Sequence, residues 1–172
     1  MFFLQLSGSP GSGKSTLALA VAKIIDVVII DHDVTKSALM QEGVDEKILG
    51  RAAYAVDYAY VNYYLSQGRN VIMDSPCFYD MQLERSIAAA KNNGAVYKYV
   101  ECYLSDPHEI NKRLASRERK PSQWESVDPI NFAWVDDAKK PERDYIVVDT
   151  SKPIDTYLQR VIDYLHTEIG KD

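Results

Sequence analysis

Short apolar runs alternate with longer stretches of helical spacing along the whole chain. Phe2 to Leu6 (FFLQL) predicts a buried strand, and the following TLALAVAKII predicts a helix rich in Ala and Leu. Asp26 to Ile30 (DVVII) is β-branched and predicts a second strand. A long helical region follows over about residues 35–67, with a break expected near Gly43, a further one open at Gly50, and Gly68 closing it. Asn70 to Asp74 (NVIMD) predicts a third strand, Asp80 to Lys91 a helix stopped by Asn92-Asn93-Gly94, and Ala95 to Leu104 a fourth strand. The next helix opens at Asp106-Pro107, with Asp106 as N-cap and Glu109 completing a capping box; Pro121 marks its end. A short helix over Pro129 to Ala138, a fifth strand over Asp144 to Thr150 and a last helix from about Pro153 to Ile169 complete the series. Five strands separated by helices predict an α/β fold: one parallel sheet covered on both faces, three layers in one domain over 1–172.

In such sheets ligands sit outside the carboxyl ends of the strands. Polar residues gather at those positions after the first, second, third and fifth strands. After the first comes GSPGSGKST, Gly8 to Thr16, which fits G-x-x-x-x-G-K-[ST] at every fixed position and lies between a strand and a helix. Glycines let the backbone approach a ligand closely. Successive amides and the helix N-terminus then face a phosphate chain. Gly8, Pro10, Gly11, Ser12, Gly13 and Thr16 would form the cradle. Lys14 would neutralise β/γ-phosphate charge, and the Ser15 hydroxyl would hold Mg²⁺.

Asp31-His32-Asp33 after the second strand puts two carboxylates two residues apart, on one side of an extended segment. Near a γ-phosphate they would organise Mg²⁺ through water or take a proton from an attacking hydroxyl. Asp33 could equally cap the helix that follows. NVIMD ends in Asp74, placed to reach the Mg²⁺ shell beside Ser15. Ser75-Pro76-Cys77 reads as a turn over the same cleft. RLASRERK, Arg113 to Lys120, is the densest basic stretch, with Arg113 and Arg117 four apart on one helical face. It suits a lid that stabilises charge on a transferring phosphoryl group, or a solvated face of surface ion pairs. Pro121-Ser122 reads as its mobile tip.

Composition narrows the partners. The chain has 172 residues and a net charge of −5, which argues against a duplex nucleic-acid binder without excluding a local basic pocket. Two cysteines, Cys77 and Cys102, make neither a disulfide framework nor a metal spacing. No apolar run reaches membrane-spanning length, and no basic segment precedes the first strand. These features predict a soluble cytoplasmic protein with no membrane partner, a monomer or homodimer.

Together these residues resemble the small P-loop kinase family. That group of ATP-binding, kinase-like proteins includes shikimate, gluconate, adenylylsulfate and nucleoside monophosphate kinases, chloramphenicol phosphotransferase and the polynucleotide kinase domain. The resemblance rests on the P-loop, Asp31-His32-Asp33, VIMD, the Arg113/Arg117 pair and VVDTSKP. Asp33 with Lys36 three on matches the group's acid followed by a basic residue, although most members carry Arg there. The resemblance implies sheet order 2-3-1-4-5, a lid over ATP at about 113–127, and an acceptor region at about 34–68. It also implies that Lys152 and Pro153 edge the adenine. The acceptor region holds Arg51 and the tyrosines Tyr54, Tyr58, Tyr60, Tyr63 and Tyr64, which would stack on a ring or pack against the domain or a dimer partner.

The expected activity is therefore transfer of the γ-phosphoryl group of ATP, with Mg²⁺, to a hydroxyl on a small molecule. Asp33 is the expected base, Asp31 and Asp74 join Ser15 at the metal, and Arg113 and Arg117 close over the charge. Lys36, Arg51 and Ser75 join Asp33 at the acceptor. With only Arg51 and Arg85 as acceptor-side arginines, an uncharged acceptor is expected. The rivals are a polynucleotide 5′-hydroxyl kinase and a slow ATPase or nucleotide-gated regulatory module.

Overall fold

The structure is a computed structural model and describes residues 1–129 and 138–167. Strand β1 (Phe2–Ser7) is buried at all six positions, because both faces of the sheet are covered. Alternation splits its side chains between two cores. Phe2, Leu4 and Leu6 pack with Leu17, Ala18 and Val21 of helix α1 (Lys14–Ala22) and with Val161, Ile162 and Leu165 of the last helix. Phe3 faces the other way, into a core with Tyr58, Val61, Leu65, Ala89 and Ala90.

Strands β2 (Val27–Asp31), β3 (Asn70–Asp74), β4 (Val96–Tyr103) and β5 (Tyr145–Asp149) complete one parallel sheet in the order β2-β3-β1-β4-β5. This is the order that the resemblance implied. The register sets Asp31 beside Asp74 and Asp74 beside Leu6. The carboxyl ends of three strands thus present two acids next to the loop that follows β1.

Helix α2 (His32–Gln41) starts one residue after β2 ends. Its N-cap is Asp31, whose carboxylate accepts from the Asp33 and Val34 amides at 2.9 and 3.3 Å. Asp33 therefore does not cap the helix. It lies in the first turn, so the two acids do not share one side of an extended segment. Gly43, at φ +75°, breaks the chain as expected, and α3 (Glu46–Ser66) then runs through Gly50 without interruption. Helix α4 (Asp80–Asn92) packs on the α3 side.

Helix α5 (Pro107–Ser116) begins with Asp106 accepting from the His108 amide at 2.9 Å. The expected capping box is replaced: Glu109 pairs with Arg113 one turn on, Nε to Oε1 2.9 Å. The helix also ends early, and Arg117 is extended (φ −102°, ψ 152°). Arg113 and Arg117 consequently do not share a helical face. Pro153 precedes a 3₁₀ turn (Ile154–Thr156), and α6 (Leu158–His166) is the last helix. Residues 130–137 of the helix expected from Pro129 to Ala138 lie outside the described residues, as does the expected end at Ile169.

Candidate active site

Three glycines shape the loop between β1 and α1. Gly8, Gly11 and Gly13 take φ values of 134°, 75° and 91°, which L side chains rarely adopt. A Cβ on Gly8 would collide with the Cys102 carbonyl, and one on Gly11 would crowd Ile110 and Leu114 at 3.3 Å. Helix α1 has no side-chain cap, so its first amides remain open to an anion. The Ser9 and Ser12 hydroxyls are buried without a hydrogen-bond partner. Lys14 Nζ reaches back to the Gly8 and Ser9 carbonyls, both at 2.9 Å. These features fit a polyphosphate: open amides, hydroxyls without a partner and an ammonium lie on one loop.

Asp74 lies behind this loop, 6% exposed. Burial pushes its carboxyl up, against the opposing pull of the Lys14 charge and a hydrogen bond with Ser15. Ser15 and Asp74 offer hard oxygen donors that suit Mg²⁺. Among the described residues no cluster of three acidic, His or Cys side chains could hold a metal by itself. A metal here would therefore lean on phosphate oxygens. Asp31, the other predicted metal group, is already engaged. One oxygen caps α2 and the other meets Lys120 Nζ at 2.7 Å.

The loop opens into a cavity of about 1170 Å³. One ligand of ordinary size needs roughly 300–1,000 Å³, so there is room for two small molecules. Near the phosphate loop it is lined by Arg113, Arg117, Thr150 and Lys152. Arg113 is fixed by Glu109 and by the Thr150 carbonyl, which its Nη2 reaches at 2.9 Å. Arg117 has a buried Nε without a partner, and its Nη2 reaches the Trp124 carbonyl at 3.5 Å. Pro153 is not among the lining residues.

The cavity is also lined by Asp33, Lys36 and Arg51, with Tyr54, Tyr58, Phe78 and Arg85. Ser75 is not in the wall. It is buried beneath Tyr54, whose hydroxyl lies 2.9 Å from its Oγ. The Arg85 guanidinium stacks over the Tyr58 ring at 4.3 Å. Lys36, Arg51 and Arg85 form no ion pair among the described residues. Tyr60 and Tyr63 point to solvent instead.

Sequence reasoning missed His32 and Asp57. His32 Nδ1 lies 2.6 Å from Asp57 Oδ2, and Thr35 Oγ1 donates to Asp57 Oδ1 at 2.6 Å. Asp57 is fully buried, and the His32 ring stacks on Tyr54 at 4.0 Å while lining the cavity. One signal was available. Leu49, Ala53, Asp57, Val61 and Leu65 recur every fourth residue along the buried stripe of α3, so an acid occupies an apolar register.

The family model described as AAA domain matches residues 4–137. Among solved structures, the chain resembles a Chloroflexus aurantiacus protein with a provisional kinase assignment (TM-score 0.73, 20% identity, 95% of each chain covered). It also resembles a sugar kinase from Janibacter sp. HTCC2649 (TM-score 0.65, 15% identity, 96% of this chain and 94% of the other). A third match is the Mycobacterium tuberculosis APS kinase CysC in complex with AMPPNP and APS (TM-score 0.62, 18% identity, 96% and 98% covered). At these identities the likeness establishes a shared fold.

Proposed function

The chain belongs to the AAA domain family, and on that premise we propose that it is an ATP-dependent kinase that phosphorylates a hydroxyl on a small, flat, anionic acceptor. The observation that carries this reading is one cavity lined both by the glycine loop with Lys14, Ser15 and Asp74 and by Asp33 with an aromatic and cationic group of side chains. The APS kinase neighbour binds an ATP analogue and APS together in the same fold, which supports a two-ligand use of such a cavity.

The chemistry follows from placement. The acceptor hydroxyl donates to Asp33, which takes its proton as the oxygen attacks the γ-phosphorus. Lys14, Arg113 and Arg117 stabilise charge on the transferring group. Mg²⁺, held by Ser15 and Asp74 when bound, neutralises phosphate charge. Tyr54, Tyr58 and Phe78 supply flat apolar surface, and Lys36, Arg51 and Arg85, which make no salt bridge among the described residues, line the same cavity in an acidic protein. Hence this reading replaces the uncharged acceptor with an anionic one. No helix among the described residues is long and apolar enough to cross a membrane.

The test is Mg²⁺-dependent ATP consumption across paired acceptors that differ only in an anionic group, with 5′-hydroxyl oligonucleotides and neutral sugars included. An anionic ring compound should raise turnover well above background, with Lys14→Ala and Asp33→Asn abolishing the gain. Arg51→Ala and Arg85→Ala should each raise its KM by about tenfold or more. Equal use of charged and neutral partners would remove the anionic acceptor. Acceptor-independent hydrolysis that Asp33→Asn leaves intact would favour the regulatory ATPase.

A further inference from the structure

The segment after α5 is fastened at several points. Lys120 pairs with Asp31, Arg119 Nη1 donates to the Gln123 carbonyl at 3.2 Å, and the Lys120 amide donates to Gln123 Oε1 at 3.1 Å. Asn111 and Val127 exchange two hydrogen bonds of 3.0 and 2.7 Å. The tip read from sequence as mobile is thus a built loop.

At that tip the Ser122 amide donates to Ser37 Oγ at 3.1 Å, and Ser37 donates its own hydroxyl to Ser122 Oγ at 3.0 Å. The Ser122 proton is therefore left for Asp33. Its carboxylate Oδ1 and its carbonyl both lie 3.1 Å from Ser122 Oγ. Of the two acceptors the carboxylate is the stronger, being charged. Gln123 Nε2 donates to the second carboxylate oxygen at 3.0 Å, which fixes the plane of the Asp33 group. Ser122 lines the same cavity as Lys14, Ser15 and Arg113. In the reaction proposed above the acceptor hydroxyl donates to Asp33, and here the chain supplies such a hydroxyl itself.

We propose that Ser122 is a self-phosphorylation site. This rests on the reading above of the glycine loop as the ATP site and Asp33 as the base. The Ser122 Oγ–P bond forms while the bond from the γ-phosphorus to the β,γ-bridging oxygen breaks. The hydroxyl proton passes to Asp33, and ADP leaves. Phosphoserine, with a charge of about −1.5 to −2, would then sit against the Asp33 carboxylate. Repulsion drives the tip away from that carboxylate, which frees Asp33 for an outside acceptor.

The experiment incubates the purified full chain with Mg²⁺ and ATP, without acceptor, and maps phosphate by intact mass and peptide mass spectrometry. One phosphate on Ser122 is expected, appearing at a rate independent of protein concentration. Ser122→Ala and Lys14→Ala should remove it, Ser122→Thr should retain it, and Asp33→Asn should slow it by about a hundredfold or more. Unmodified Ser122 in protein that ATP demonstrably stabilises against heat overturns the proposal, and so does phosphate confined to another residue. If that same protein phosphorylates an outside acceptor, self-modification alone has failed. If ATP gives neither stabilisation nor turnover, the ATP-site reading falls and this proposal falls with it.

Discussion

At the residue scale, buried polar and ionisable side chains dominate. Asp57 is tolerated in the interior because its two oxygens meet His32 and Thr35, which leaves neither lone-pair set stranded. Four buried phenols and thiols carry a pH signature. Burial pushes Tyr54 and Tyr58 up from 10.0 to about 12, and Cys77 and Cys102 up from 9.0 to about 12. Every folded-state value lies above its unfolded one, so the unfolded chain loses protons first as pH climbs. Stability from these groups is whole below about pH 9 and is lost progressively between about 9 and 12. Urea midpoints measured across that range should fall steadily. A flat profile up to pH 12 would show that these groups ionise as easily folded as unfolded.

At the element scale, one substitution is expected to act in opposite directions at two glycines. Gly50 is helical, has no positive φ and leaves open space at its missing Cβ. Gly50→Ala should stabilise by about 0.5–1 kcal/mol, from better helix propensity. Gly43 has equally open space but sits at φ +75°, between α2 and α3. Gly43→Ala should destabilise by about 1–2 kcal/mol, since a Cβ is strained in that conformation. Chemical unfolding of the two variants decides it, and the same sign at both sites would sink the argument. The pair also shows why the break at Gly50 failed while that at Gly43 held. Glycine permits a turn, whereas the apolar stripe from Leu49 to Leu65 demands an unbroken helix. Helix α5 errs in the opposite sense. Arg117 to Lys120 have helical propensity, but Lys120 is drawn to Asp31, and Ser122 and Gln123 to Asp33, across about ninety residues of sequence.

At the scale of the whole molecule, a ligand that binds only the folded state adds stability by mass action. ATP with Mg²⁺ at a hundred times its dissociation constant should add about 2.7 kcal/mol. For a domain of this size that raises Tm by roughly 5–11 °C. Lys14→Ala should lose most of the shift, and an equal shift in that variant would place the nucleotide elsewhere. The glycine loop reads well from sequence because its parts are local: strand, loop and helix lie within about twenty residues. The proposed acceptor wall reads poorly, because α2, α3, α4 and the segment after α5 each contribute to that part of the cavity lining.

The sequence by itself determined the alternation of strands and helices, the phosphate loop and the acids that end β2 and β3. Each of these follows from periodicity or from residue types a few positions apart, and local sterics and hydrogen bonding enforce them. Tertiary structure decided what those acids do. The register of β2 on β3 set Asp31 beside Asp74. Capping and Lys120 then occupied Asp31. Helix α3 brought Asp57 to His32, and the loop after α5 laid Ser122 on Asp33. A carboxylate is specified by whatever donates to it; apart from the local cap on Asp31, those donors come from 22 to 90 residues away, where no local pattern can name them.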